Sequence, residues 1–384
     1  MSRKRKQPAA RGLLMVPVLF FALSFLLLAV RKGDWRLYTL AAAWPAFCLI
    51  SGLLFPVLVG MDRILLTLTH FISGILLLLT ALWIPDRLLI MLIQLAAGCF
   101  LMLFSLALSS SSGGKTAFSA GMGVLALVAL LLPFVFALPV DTGYSACVFL
   151  LFPLCLLGRN RQAGLGLLLY LAGLAPLLIS GNWASAAGWT LTGSFLLWIA
   201  SGSWLTGLLS FLSGAAGWIA EALFLPAMAL QQLPRLSVSE LAAAFSGGLF
   251  GSGPGLGSAL PAADPPVIWP LIVLSEQFGI LFLIGLILLY AFLLIRSASG
   301  ALLARRELPA LQTAGLILLP GIRAVLSLCA LSGLIPVPAS GFPLLSPDPL
   351  VYVTDLFAVG WIAGQLTSNS RDLDEDEHLA MLAH

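Results

Sequence analysis

Four ionisable side chains lie inside long apolar runs of this chain: Glu221, Glu276, Arg323 and Asp355. Charges are costly within a hydrocarbon layer, so they face a bundle interior or a water-filled cavity and pair with one another. If the runs are spanning helices, each of the four sits roughly 9–15 Å below one surface at 1.5 Å of rise per residue. Two arrangements are open. The four converge on an outward-open polar cavity for an anionic or polar substrate, or they form a structural ion pair, most simply Glu276 with Arg323. His70 has no second histidine or carboxylate at helical spacing and reads as structural. Cys48, Cys99, Cys147, Cys155 and Cys329 all lie in apolar runs, without a CxxC or a Cys/His cluster, and read as small buried hydrophobes rather than metal ligands. Gly251-x-Gly-x-Gly-x-Gly257 lacks the strand before it and the helix after it that a dinucleotide site needs. Nothing in the sequence points to nucleic acid.

The elements that must position these residues follow from composition. Of 384 residues, 60% are hydrophobic and 9% charged, with a mean hydropathy of +1.07. A soluble domain carries about 25% charged residues, so this chain cannot cover its apolar surface with charge. Its apolar runs are continuous rather than alternating, which selects transmembrane helices of about 20 residues over a barrel. The predicted fold class is therefore all-α and integral to the membrane, a polytopic bundle of about 12 spans. They are placed near Leu13–Val30, Tyr38–Val59, Ile64–Ile84, Leu88–Leu108, Ala120–Pro139, Gly143–Gly158, Gly164–Gly181, Ser185–Trp204, Leu205–Ala229, Trp269–Ile295, Ala310–Val337 and Pro349–Ser368. Only the Ser201–Gly202–Ser203 break divides the stretch Ser185–Ala229. The basic run Arg3–Lys6 before Leu13–Val30 resembles a signal peptide, but no small-x-small cleavage site follows, and it reads as a retained first helix.

With the N-terminus inside, 13 of the 19 Lys and Arg residues fall on the cytoplasmic side and 5 outside, Arg323 being intramembrane. That bias agrees with the positive-inside rule and puts both termini in the cytoplasm. The exception is the first outer loop, which holds Arg31, Lys32 and Arg36. The longest connection, residues 231–268, is rich in Gly and Pro and lies outside. Within it Ser237-Val-Ser-Glu240 reads as a capping box for a short helix stopped by Gly247. Residues 369–384 read as an acidic, solvated cytoplasmic tail.

Three passages resemble the SEDS family, the FtsW/RodA/SpoVE group of bacterial envelope proteins. They are Ser246-Gly-Gly-Leu-Phe-Gly-Ser-Gly-Pro-Gly-Leu-Gly-Ser258 followed by Ser275-Glu-Gln-Phe-Gly279, then Gly333-Leu-Ile-Pro-Val337 with Ser340-Gly-Phe-Pro-Leu344, and Asp62-Arg-Ile-Leu-Leu66. The resemblance implies a ten-helix core over residues 61–368, with two added helices in residues 1–60. It also implies a peptidoglycan glycosyltransferase that polymerises lipid II or another lipid-linked glycan at the outer face of the cytoplasmic membrane, in cell division or shape control, with a class B penicillin-binding protein as partner. Membrane lipid is the other expected contact, and a divalent cation is compatible with a lipid diphosphate leaving group. The family's presumed catalytic aspartate aligns with Ile268, and the nearest acid is Asp264, the candidate base. Glu276 matches a family acid directly. Glu276, Arg323, Glu221 and Asp355 would organise the cavity, and Arg235 would contact the diphosphate. An inactive scaffold for a penicillin-binding protein and a secondary transporter are the alternatives; no inverted repeat supports the latter.

Overall fold

The computed structural model describes residues 8–111, 115–136, 142–160, 162–224, 236–257, 267–338 and 340–382. Thirteen α-helices run through them, and among the described residues there is no strand. They are α1 (Pro8–Lys32), α2 (Trp35–Leu58), α3 (Arg63–Trp83), α4 (Leu88–Ser110), α5 (Lys115–Phe136), α6 (Gly143–Arg159) and α7 (Ala163–Ile179). Then follow α8 (Trp183–Ser201), α9 (Trp204–Phe224), the short α10 (Val238–Ser246), α11 (Trp269–Leu302), α12 (Glu307–Leu331) and α13 (Pro349–Leu382). The fold is the expected all-α membrane bundle. Among the described residues seven helices are long and apolar enough to cross a membrane, and most of the others are shorter apolar helices. Leu19, Val57, Leu89, Phe100 and Ile295 are 66–69% exposed, an outer surface that only lipid or another membrane protein would cover.

Local chemistry explains the boundaries. The Asp62 carboxylate accepts from the Leu65 N–H and starts α3, while the Asn182 amide oxygen accepts from the Ser185 N–H and starts α8. Gly202, at φ 67°, ends α8 and confirms the break that divides the stretch 185–229. Ser237 and Glu240 form the expected capping box of α10. Pro17, Pro45, Pro56, Pro153, Pro176 and Pro320 lie inside helices, which membrane helices tolerate because neighbours re-satisfy the freed backbone groups.

α13 continues without a break from Pro349 to Leu382, 34 residues. Residues 369–382 contain neither Gly nor Pro and include Leu, Met, Glu and Arg, which are good helix formers, so nothing stops the helix at the end of the apolar run.

α3 and α13 form the centre and are buried along most of their spans. The closest approach joins α13 to α4. The Ser105 hydroxyl donates to the Phe357 carbonyl and the Ser109 hydroxyl to the Trp361 carbonyl, each at 2.8 Å. A Cβ added at Gly360 or Gly364 would collide with Met102 and Ser105, or with Leu106 and Ser109. Gly360-Trp-Ile-Ala-Gly364 and Ser105-Leu-Ala-Leu-Ser109 are small-xxx-small faces that let two backbones touch. α1 and α2 pack on each other and lean on α3 through Phe21, Trp44 and Phe71.

Candidate functional site

The site is built around a broken helix. α11 is interrupted at Gly279, whose φ of 86° and ψ of 168° only glycine adopts readily. The break strands backbone groups that would be costly if left unpaired in a bundle. The glycine-rich loop satisfies them. Ser252 and Gly253 donate their N–H groups to the carbonyls of Glu276 and Gln277 at 2.9 and 3.0 Å. On the far side of the break, Ile280 and Leu281 donate to the carbonyls of Gly248 and Leu249 at 3.1 and 3.2 Å. The Gly255 N–H adds a bond to the Gln277 amide oxygen at 2.9 Å. A Cβ at Gly247 or Gly251 would strike the backbone of residues 275–278. The loop motif and the Glu-x-x-Gly motif are therefore one structural unit.

Glu276 is carried on the short first half of α11, 1% exposed. Its Oε2 lies against Gly257, where an added Cβ would sit 2.6 Å away. The two N-terminal helices reach this unit as well. Arg31 Nη1 donates to the Pro254 carbonyl at 3.0 Å, and Lys32 Nζ to the Leu82 carbonyl at 2.8 Å. Two of the basic residues that break the positive-inside pattern thus bond carbonyls around the glycine-rich loop.

A second unit pins the α12–α13 connection. Arg323 and Asp355 form a buried ion pair, 4% and 3% exposed, at 2.5 Å. The Tyr144 hydroxyl donates to Asp355 Oδ1 at 2.8 Å, and the Arg323 guanidinium lies 3.9 Å from the centre of the Tyr144 ring. The Leu344 N–H donates to Asp355 Oδ2 at 2.8 Å. Leu344 has φ 60°, the left-handed region an L side chain enters at about 1–2 kcal/mol, so Asp355 holds a strained turn. This corrects two expectations. Arg323 pairs with Asp355 rather than with Glu276, because Asp355 sits opposite it on α13 with Tyr144 completing the shell. Arg323 and Asp355 also do not line an open polar cavity. Arg323 and Asp355 are sealed, and α9, which carries Glu221, packs on α7 and α8. The Glu221 side chain lies outside the described residues, as do Asp264 and Arg235. Ile268, at the position of the family's aspartate, is fully buried at the start of α11.

A cavity of about 280 Å³ opens where these units meet the α3–α4 turn. Thr80, Ile84, Arg87, Ile90, Met91, Gln94, Trp269, Pro347 and Pro349 line it. Trp269 stacks on Trp83 at 6.2 Å. Two buried polar atoms on this lining, Gln94 Oε1 and Trp269 Nε1, have no hydrogen-bond partner among the described residues. Buried polar groups are nearly always paired, so the cavity offers an acceptor and a donor beside a cation. Asp348 stands between the two lining prolines, and burial pushes its carboxyl above the usual carboxylate range despite N–H donors from Leu350 and Val351. The sequence reading missed Arg87 and Gln94 as site residues. The available signal was a cation in the short turn after Trp83 and a single amide in the apolar helix that follows.

At the opposite end of the bundle, Asp62 caps α3 and pairs with Arg296 of α11, which gives the Asp62-Arg-Ile-Leu-Leu66 motif a structural role. His70 packs edge-on against the stacked Trp44 and Phe47, with Nε2 3.4 Å from the Ser51 hydroxyl. All five cysteines are free thiols. Among the described residues no group of three His, Cys, Asp or Glu side chains could hold a metal ion.

No protein-family model matches the chain, and no curated protein sequence matches it. Solved structures do. The rod shape determining protein RodA of Thermus thermophilus superposes with a TM-score of 0.59 at 20% identity, over 80% of this chain and 97% of that one. An aspartate-to-alanine mutant of the same protein gives 0.59 and 20%, over 79% and 97%. A structure described as the structural coordination of polymerization and crosslinking by a peptidoglycan synthase complex gives 0.62 and 20%, over 80% and 98%. The chain therefore carries the helical membrane fold of RodA.

Proposed function

We propose that this chain is a divergent SEDS-type protein of the bacterial cytoplasmic membrane that handles a lipid-linked glycan at its outer face during peptidoglycan synthesis, in cell division or shape control. The observation that carries the reading is the outer cavity, where Arg87 meets a Gln94 oxygen and a Trp269 N–H that have no partner among the described residues, Trp269 lying at the start of broken α11. A lipid diphosphate with a sugar attached presents that combination of anion, hydroxyl donors and acceptors, and apolar tail. Arg87 would take the diphosphate, Gln94 and Trp269 the sugar, and Ile84, Ile90 and Met91 the first isoprenes. Glycosyl transfer needs a base for the attacking sugar hydroxyl and cations for the departing diphosphate. Asp264 is the candidate base, with Arg235 a second cation on the same loop; a divalent cation at the diphosphate is compatible with this chemistry. Both termini would face the cytoplasm, residues 61–368 would form the ten-helix core, and a class B penicillin-binding protein would be the partner.

A second reading has its own observation. Ile268 is fully buried where the family places its acid, which favours a non-catalytic scaffold for the partner synthase. Purified protein given lipid II, alone and with a class B penicillin-binding protein, separates the two. Glycan strands that disappear in Asp264→Asn and diminish in Arg87→Ala support catalysis. Lipid II binding without strands in any reconstitution supports the scaffold, and neither binding nor strands rejects the functional proposal altogether.

A further inference from the structure

A second, larger cavity of about 450 Å³ lies at the end of the bundle opposite the glycine-rich loop. Lys115 at the start of α5, Arg159 at the end of α6 and Arg306 just before α12 line it, with Thr116, Glu307 and the buried Leu308 and Pro309. Cations on this side are expected from topology alone. Their convergence on one rim is not, because the consecutive helices α5 and α6 and the distant α12 each deliver one to the same place, where like charges repel. Glu307 and nearby Asp372 offset only part of that charge. No side chain caps α12, whose first turn forms the apolar floor. A basic pocket between spanning helices at headgroup depth is what an anionic phospholipid headgroup requires, and arginine forks match phosphate oxygens in pairs.

We propose that Lys115, Arg159 and Arg306 form a binding site for a phosphate-bearing anion, supplied by a phospholipid headgroup or by free phosphate. The site is separate from the outer cavity and does not depend on the functional proposal above. Delipidated full-length protein in detergent would be titrated with phosphatidylglycerol, phosphatidylcholine and inorganic phosphate, with native mass spectrometry as the readout. Phosphatidylglycerol should bind in preference to phosphatidylcholine, and Lys115→Gln/Arg159→Gln/Arg306→Gln should lose about tenfold in affinity, or 1.4 kcal/mol. Arg63→Gln/Arg371→Gln, which removes charge at the same end outside the cavity, should bind as the unmodified protein does. If the triple variant does not fold, Arg159→Gln alone, at an exposed helix end, should lose affinity several-fold. Binding of inorganic phosphate that competes with the lipid assigns the site to a soluble anion; lipid binding without competition assigns it to the headgroup. No preference for either anion, equal binding by the cavity variants, or an equal loss in the control pair would overturn the proposal.

Discussion

Asp355→Asn tests whether the buried pair holds the α12–α13 connection in place. The carboxylate takes Arg323 and the Leu344 N–H on Oδ2 and the Tyr144 hydroxyl on Oδ1. Asparagine is isosteric but uncharged, and its NH₂ group must face one of those three donors. The guanidinium remains 3% exposed with no countercharge. Removing one partner of a buried pair costs about 3–5 kcal/mol. Tyr144→Phe deletes a single hydrogen bond to a charged acceptor and should cost about 1.5–3 kcal/mol. Arg323→Met/Asp355→Leu removes both charges. It still strands the Leu344 N–H, at about 1–3 kcal/mol, yet should cost much less than the sum of the two single changes. Reversible unfolding in mixed micelles, followed by tryptophan fluorescence, measures these variants and the single changes Arg323→Met and Asp355→Leu. The reasoning fails if Asp355→Asn lies within about 0.5 kcal/mol of the parent, or if the double change is additive. Either result would mean that the pair is hydrated and the strained turn at Leu344 is held by something else.

Gly279→Ala should destabilise the docked loop by several kcal/mol, because its φ of 86° excludes a side chain and the new methyl meets the Leu249 carbonyl and the Gly251 N–H; limited proteolysis within 247–257 would show it as faster cleavage. Gly360→Leu should separate α4 from α13 and abolish monodisperse folded protein, whereas Gly121→Ala, with nothing within 4 Å of its Cβ, should be neutral by size-exclusion chromatography. Burial raises the Asp348 carboxyl above its unfolded value, so the folded state binds the proton more tightly. Its contribution is therefore fully present below the ordinary carboxylate range and declines as pH rises through the higher folded value. Asp348→Asn, which keeps the acceptor for Leu350 and Val351, should flatten that decline in a stability–pH profile recorded from about pH 4 to about pH 7; an unchanged slope would refute the assignment.

Much of this architecture was legible in the residues. Continuous apolar runs with so few charges leave the backbone no partner in lipid except itself, so the all-α membrane class follows from composition and patterning. The capping box at Ser237 and Glu240 and the break at Gly202 were equally local, because each rests on bonds within one turn. The glycine-rich loop and Glu-x-x-Gly motifs could be read as a pair, but not why they belong together. Only the fold shows that Gly279 breaks α11 and that the loop repairs it through backbone bonds between segments more than 20 residues apart. Partner choice among the membrane charges was likewise undetermined. Depth along a helix follows from sequence number, whereas facing depends on helix rotation and packing, and these set Asp355 rather than Glu276 against Arg323. The same holds for Arg87, Gln94 and Trp269, single polar groups with no motif between them until three elements bring them to one wall.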